Sequence, residues 1–233
     1  MIPIGIRQLT ALLSCVLILP ASPETSAGNA LLAVGSFHGG EVQLKQPRQW
    51  LGLFCSGHVC NAHQTIVSTA AVHDDIVDED SKASTGVEVS IAESGSPIFL
   101  VRGLAFAKRQ VPTVFSGEQA LGAGDSFSID APFSSHLLKV EGKKSEDEAL
   151  PKGSRLLFSQ GTTSQELLAL PDGGNDPYIT VLWIGDIDGD GKPDLYLNTS
   201  WHYNVSHKVL WLSSLARAGQ LVGQAAVLHT TGC

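Results

Sequence analysis

A succession of short β-type runs, each closed by turn residues, constrains this chain more than any other feature. The runs fall at residues 41–45, 50–55, 64–69, 86–91, 97–102, 136–141, 154–159, 165–170, 179–184, 194–198 and 208–212. Several alternate apolar and polar residues, the period of a strand with one buried face. Turn signals such as Pro171-Asp-Gly-Gly-Asn-Asp-Pro177 lie between them. No long stretch carries the period of an amphipathic helix. The expectation is an all-β (β-rich) fold, a sandwich or partly closed barrel of many short antiparallel strands. At most one short helix is expected, over residues 213–219, with Ser213 as its N-cap and Gly219 as its stop.

The chain has 233 residues, 43% hydrophobic and 16% charged, enough apolar content to build a core. The formal charge of −8 speaks against a phosphate-gripping face, so no nucleic-acid partner is expected. The charged stretch Glu141-Gly-Lys-Lys-Ser-Glu-Asp-Glu148 has two readings. As a linker it divides an N-terminal β-rich region, 28–145, from a C-terminal one, 146–233. As a solvated hairpin loop it lies within a single domain.

Residues 1–27 read as a secretory signal peptide. Arg7 provides a short basic head, residues 9–19 form an apolar run too short to span a bilayer, and small residues lead to an exit near Ala27. Leu12-Leu-Ser-Cys15 resembles the bacterial lipobox, which gives an alternative in which Cys15 carries a lipid anchor. A secreted or periplasmic location follows, with no transmembrane segment after signal cleavage.

The most specific motif is Asp186-Ile-Asp188-Gly-Asp190-Gly-Lys192-Pro-Asp194. Its carboxylates occupy loop positions 1, 3, 5 and 9. Gly191 at position 6 permits the left-handed backbone that wraps such a loop around an ion. Lys192 would offer its carbonyl oxygen. Calcium is a hard cation that takes 6–8 oxygen ligands, so Ca2+ is the expected cofactor. An EF-hand needs a bidentate Glu at position 12 and helical flanks. Here Leu197 stands at that position and the flanks are strand-like.

A loop of this kind between strands resembles the calcium loop of FG-GAP and VCBS-type repeats. Their pattern, Asp-x-Asp-x-Asp-Gly-x-x-Asp-Leu, matches residues 186–195. The resemblance implies calcium ligation by Asp186, Asp188, Asp190, Asp194 and the Lys192 carbonyl. It covers residues 178–200 and occurs once, so it does not imply a propeller. The tail from Leu182 to Cys233 is also similar to a group of small exported bacterial proteins of undefined function, through Trp183-Ile-Gly-Asp186, His202-Tyr-Asn204, Leu212-Ser-Ser214 and Thr230-Thr-Gly-Cys233. That likeness implies export and the calcium loop, and no activity.

Four cysteines are present, and signal cleavage removes Cys15. Cys55-Ser-Gly-His-Val-Cys60-Asn-Ala-His63 offers zinc-ligand types, but an oxidising compartment and a hairpin turn between the cysteines favour a Cys55–Cys60 disulfide. Cys233 is then unpaired, or bridges to Cys55 or Cys60 instead. Trp201, His202, Tyr203 and Asn204 follow the strand leaving the acidic loop. They line a ligand site or pack a sharp turn.

His-Glu-x-x-His, Gly-x-Ser-x-Gly and phosphate-loop motifs are absent from the sequence. The leading expectation is a non-enzymatic, exported protein with one structural Ca2+ and a protein or glycan partner at the envelope or outside it. The alternative is a secreted hydrolase acting on glycans or peptides, with calcium as scaffold.

Overall fold

The computed structural model describes residues 29–42, 44, 48–57, 59–104, 106 and 108–232. The expected signal peptide, Cys15, His58 and Cys233 lie outside these residues. In chain order the strands are β1 (Ala30–Leu32), β2 (Gly35–Phe37), β3 (Arg48–Ser56), β4 (Val59–Val72), β5 (Gly86–Ile91), β6 (Phe99–Arg102), β7 (Arg109–Val111) and β8 (Thr113–Leu121). They continue with β9 (Ser126–Ile129), β10 (His136–Glu141), β11 (Ser154–Gln160), β12 (Thr163–Leu170), β13 (Tyr178–Gly185), β14 (Asp194–Ser200), β15 (Val205–Leu212) and β16 (Gly223–Thr231).

These strands make three antiparallel sheets. The first has the order β1-β6-β3-β4-β5-β2, with β7 paired to β4. The second is β16-β15-β14-β13-β8, and the third is β12-β11-β10-β9. The five-stranded sheet is the middle layer. On one face Trp183, Tyr196, Leu210 and Leu228 pack with Leu51, Leu53, Phe99 and Val101 of the first sheet. On the other, Val181, Ile184, Leu195 and Leu197 pack with Leu138, Val140, Leu156 and Phe158 of the third. A smaller core around Trp50, Val67, Val89 and Leu100 covers the far face of the first sheet. The chain is therefore an all-β sandwich of three layers.

Burial on both faces explains the run at β14. All of its residues are buried, and its side chains alternate between the two cores. In β13 a bulge between Val181 and Trp183 shifts the register. Ile179, Val181 and Ile184 then face the third sheet while Trp183 faces the first. A strict two-residue period would have put Trp183 with Val181.

β10 and β11 pair across the charged stretch, from Leu137↔Ser159 to Glu141↔Arg155. The middle sheet pairs β8 with β13, which lie on either side of the same stretch. Two local expectations are corrected. Glu41 and Val42, in the expected strand at 41–45, lie in a turn and an unpaired segment. Ser213 is not a helix cap: it lies inside a single 3-10 turn, Ser213–Leu215, whose N-cap is Leu212 with no side-chain capping bond.

Cys55 and Cys60 form a disulfide, with a Cα–Cα distance of 4.0 Å, between directly opposed positions of β3 and β4. Ser56 and Val59 pair beneath the turn, and Gly57 takes a φ of 59°, as a two-residue hairpin turn requires. The zinc arrangement is excluded because both sulfurs are spent on each other and His63 stacks on Phe54, ring centroids 4.3 Å apart.

Candidate metal centre

β13 ends at Gly185 and β14 begins at Asp194, so the acidic loop is the connection between two central strands of the middle sheet. Oxygens of Asp186, Asp188 and Asp194 lie within 4.8 Å of one another. Asp186 and Asp194 are buried, and Asp188 is half-buried.

The loop is folded by its own carboxylates. Asp186 accepts the backbone N–H of Gly189, and its other oxygen accepts that of Gly191 at 3.1 Å. Asp194 accepts from Ile187 at 2.8 Å through Oδ2 and from Ser213 at 2.8 Å through Oδ1. Asp188 accepts from the Asp190 N–H at 3.2 Å. Gly189 and Gly191 have φ values of 84° and 81°, the left-handed backbone that lets successive amides turn inward.

Asp190 stands outside the convergent three. It is exposed, and both its oxygens accept from the Ser213 hydroxyl at 2.9 Å. The same hydroxyl lies 3.1 Å from Asp194 Oδ1. Lys192 is exposed, and its N–H donates to Asp190 Oδ1 at 2.9 Å.

Two features show that negative charge is poorly accommodated at the centre. Asp188 Oδ2 is buried without a hydrogen-bond partner among the described residues. Burial pushes Asp194 up to about 8, and the neighbouring Asp188 charge adds to the effect. Burial also raises Asp188, opposed by a hydrogen bond from the Ser214 side chain, with the Asp190 and Asp186 charges adding to the rise. One guanidinium approaches: Arg109 donates to the Asp186 carbonyl at 2.8 Å and lies 3.5 Å from its carboxylate. Three carboxylates within this reach of one another could hold a metal ion.

Sequence spacing missed Ser213 and Arg109. They lie 19 positions after Asp194 and 77 before Asp186, and no local pattern links them to the loop. The expectation of a cap at Ser213 marked the right residue for a different bond.

Trp201, His202, Tyr203 and Asn204 sit at the opposite end of β14, in its turn to β15. The rings of His202 and Tyr203 lie 4.5 Å apart, and the Asn204 N–H donates to His202 Nδ1 at 3.4 Å. Trp201 stacks on His229 at 5.5 Å and contacts His207 at 5.1 Å. His202 Nε2 lies 3.0 Å from the Asn175 amide. Tyr203 and Asn204 instead line a cleft of about 690 Å3 with residues of the first sheet. Comparison with known proteins gave no match: no family model, no curated protein and no solved structure resembles the chain closely enough to count.

Proposed function

We propose that this chain is an exported calcium-binding β-sandwich protein, non-enzymatic, in which the ion is structural and the task is to bind a partner at the envelope or outside it. The observation that carries the reading is the convergence of Asp186, Asp188 and Asp194 around a buried carboxylate oxygen with no partner. Asp190 and the Lys192 carbonyl complete the ligand set that the loop spacing implies. A bound divalent ion would offset the repulsion among the carboxylates and tie β13 to β14, stabilising the native state by mass action. Extracellular modules bind calcium with dissociation constants of about 10⁻⁴–10⁻³ M, so the ion suits compartments where calcium is plentiful.

Export is supported by the disulfide, which suits an oxidising compartment, and by the short apolar run of residues 9–19. No helix among the described residues is long and apolar enough to cross a membrane. Thermal melting in chelator and in millimolar Ca2+ tests the metal. Calcium should raise the melting temperature of the wild type and leave Asp188→Ala unmoved. Coincident wild-type curves would refute the site. Amino-terminal sequencing tests the address: a start near Gly28 is expected, and a lipidated Cys15 would overturn it.

A further inference from the structure

The turn that leads from β14 into β15, with the last residues of β16, faces a corner of the first sheet. Tyr203, Asn204 and Ser206 stand on one wall, and Ser36, His38 and Asp74 on the other. The space between them, about 690 Å3, falls within the range of small-molecule sites. β14 spans seven residues, so the cleft lies roughly 20 Å from the acidic loop, at the other end of the same strand.

The walls are tied together by the chain itself. Glu41 Oε1 accepts the Thr231 hydroxyl at 2.8 Å and also the Thr231 backbone N–H. Gly232 donates from its backbone to Asn204 at 2.6 Å. On the first-sheet side, Asp74 Oδ2 lies 2.7 Å from His38 Nδ1, while Oδ1 accepts from the Ile76 and Val77 amides at 3.1 and 3.3 Å. That bond puts the His38 proton on Nδ1 and leaves Nε2 as a polar group for the cleft.

The lining chemistry narrows the ligand. Among the described lining residues the ionisable side chains are acidic, histidine or tyrosine, with no Lys or Arg, so an anion would meet only histidines, and His38 is already paired with Asp74. A cation fares little better. Asp74 and Glu41 are occupied by protein donors, His38 and the 74–77 turn in one case and Thr231 in the other. Asp75 stands out in solvent. A wholly apolar ligand would strand the Asn204 amide and the Thr230 hydroxyl, whereas Ser36 is bonded to Glu88 and Ser206 accepts from Asn198 at 3.1 Å. Tyr203, 61% exposed and with its ring tilted against that of His202 at 4.5 Å, is part of this polar rim. An uncharged ring compound with polar edges and an apolar face meets all of these conditions.

We infer that the cleft between Tyr203 and His38 binds a neutral saccharide, with the Tyr203 ring as stacking platform and His38, Asn204 and Ser206 as hydrogen-bonding groups. The inference rests on the binding role proposed above and is independent of its calcium site. Titration calorimetry of the purified protein against neutral tetrasaccharides of glucose, N-acetylglucosamine, mannose and xylose tests it, with tetragalacturonate and tetralysine as charged comparators. At least one neutral tetrasaccharide should saturate the protein. Tyr203→Ala should weaken that binding by about tenfold, the equivalent of about 1.4 kcal/mol. Trp201→Ala, which removes an exposed ring outside the cleft, should leave it within about twofold. Asp188→Ala should retain saccharide binding while losing its melting response to calcium, which separates the two readings. Binding by no neutral tetrasaccharide, preference for either charged comparator, or equal affinity in Tyr203→Ala that melts like wild type would overturn the inference.

Discussion

Ser213 reaches Asp194 twice, through its backbone N–H at 2.8 Å and through its hydroxyl at 3.1 Å, and thereby joins the 3-10 turn after β15 to the start of β14. The hydroxyl also holds Asp190. A single residue outside the acidic motif thus fixes the positions of two of its carboxylates.

Ser213→Ala should therefore loosen the loop without emptying the core. The hydroxyl's bonds to carboxylates are worth about 1.5–3 kcal/mol together, and the retained N–H bond keeps the loss near the lower end. For a domain of this size that corresponds to a fall of about 3–6 °C in melting temperature in chelator. A melting curve identical to wild type would show that the hydroxyl contributes nothing.

Gly189 and Gly191 share a left-handed backbone, yet their alanine variants should differ. At Gly191 a Cβ meets open space, so Gly191→Ala carries the backbone strain alone, about 1 kcal/mol. At Gly189 a Cβ would sit 2.2 Å from Arg109 Nη1 and would drive the guanidinium from its bond to the Asp186 carbonyl. Denaturant titration should rank Gly189→Ala as the less stable variant. The reverse order would contradict the placement of Arg109.

The His38–Asp74 bond should give the stability curve a maximum in mildly acidic solution. Hydrogen bonding to Asp74 raises His38 above its ordinary 6.5, so its contribution is complete below 6.5 and fades as pH rises through the higher folded value. The same bond lowers Asp74 below 3.8, so that contribution is present above 3.8 and is lost as pH falls through the lower folded value. Asp78 is lowered as well, through Thr85, and shares the acid limb. His73, Asp75 and Glu41 are further titratable groups nearby. Asp74→Asn should flatten the alkaline limb and leave part of the acid limb. Melting temperatures measured between pH 3 and 9 in chelator check this.

Reducing the Cys55–Cys60 bond should lower stability by about 2 kcal/mol, the loop-closure value for so short a ring, and leave the fold intact. Mass spectrometry of the unreduced protein should recover both cysteines in one linked peptide, and denaturant titration with and without reductant should measure the loss.

The alternation of β10 is legible because only one of its faces is buried, and the structure returns the sequence limits there. β8 escaped because its middle is polar and exposed, with burial only at its last residue. β16 escaped because two adjacent alanines and a bulge break the two-residue period. At the candidate site the pattern is mixed for the same kind of reason. Carboxylates that fold their own loop announce themselves by spacing, whereas Ser213 and Arg109 arrive through sheet pairing that no short window contains.

The position of β8 has a consequence for how the chain matures. The first sheet draws on residues 30–111 only, whereas β8 finds its partner in β13, made some sixty residues later. During synthesis, β8 and the hairpins of the third sheet must therefore wait, their apolar faces uncovered, for the last quarter of the polypeptide. The layered interior thus closes only after the strands nearest the carboxyl end have been made, so the order of synthesis sets the order in which the two cores can form.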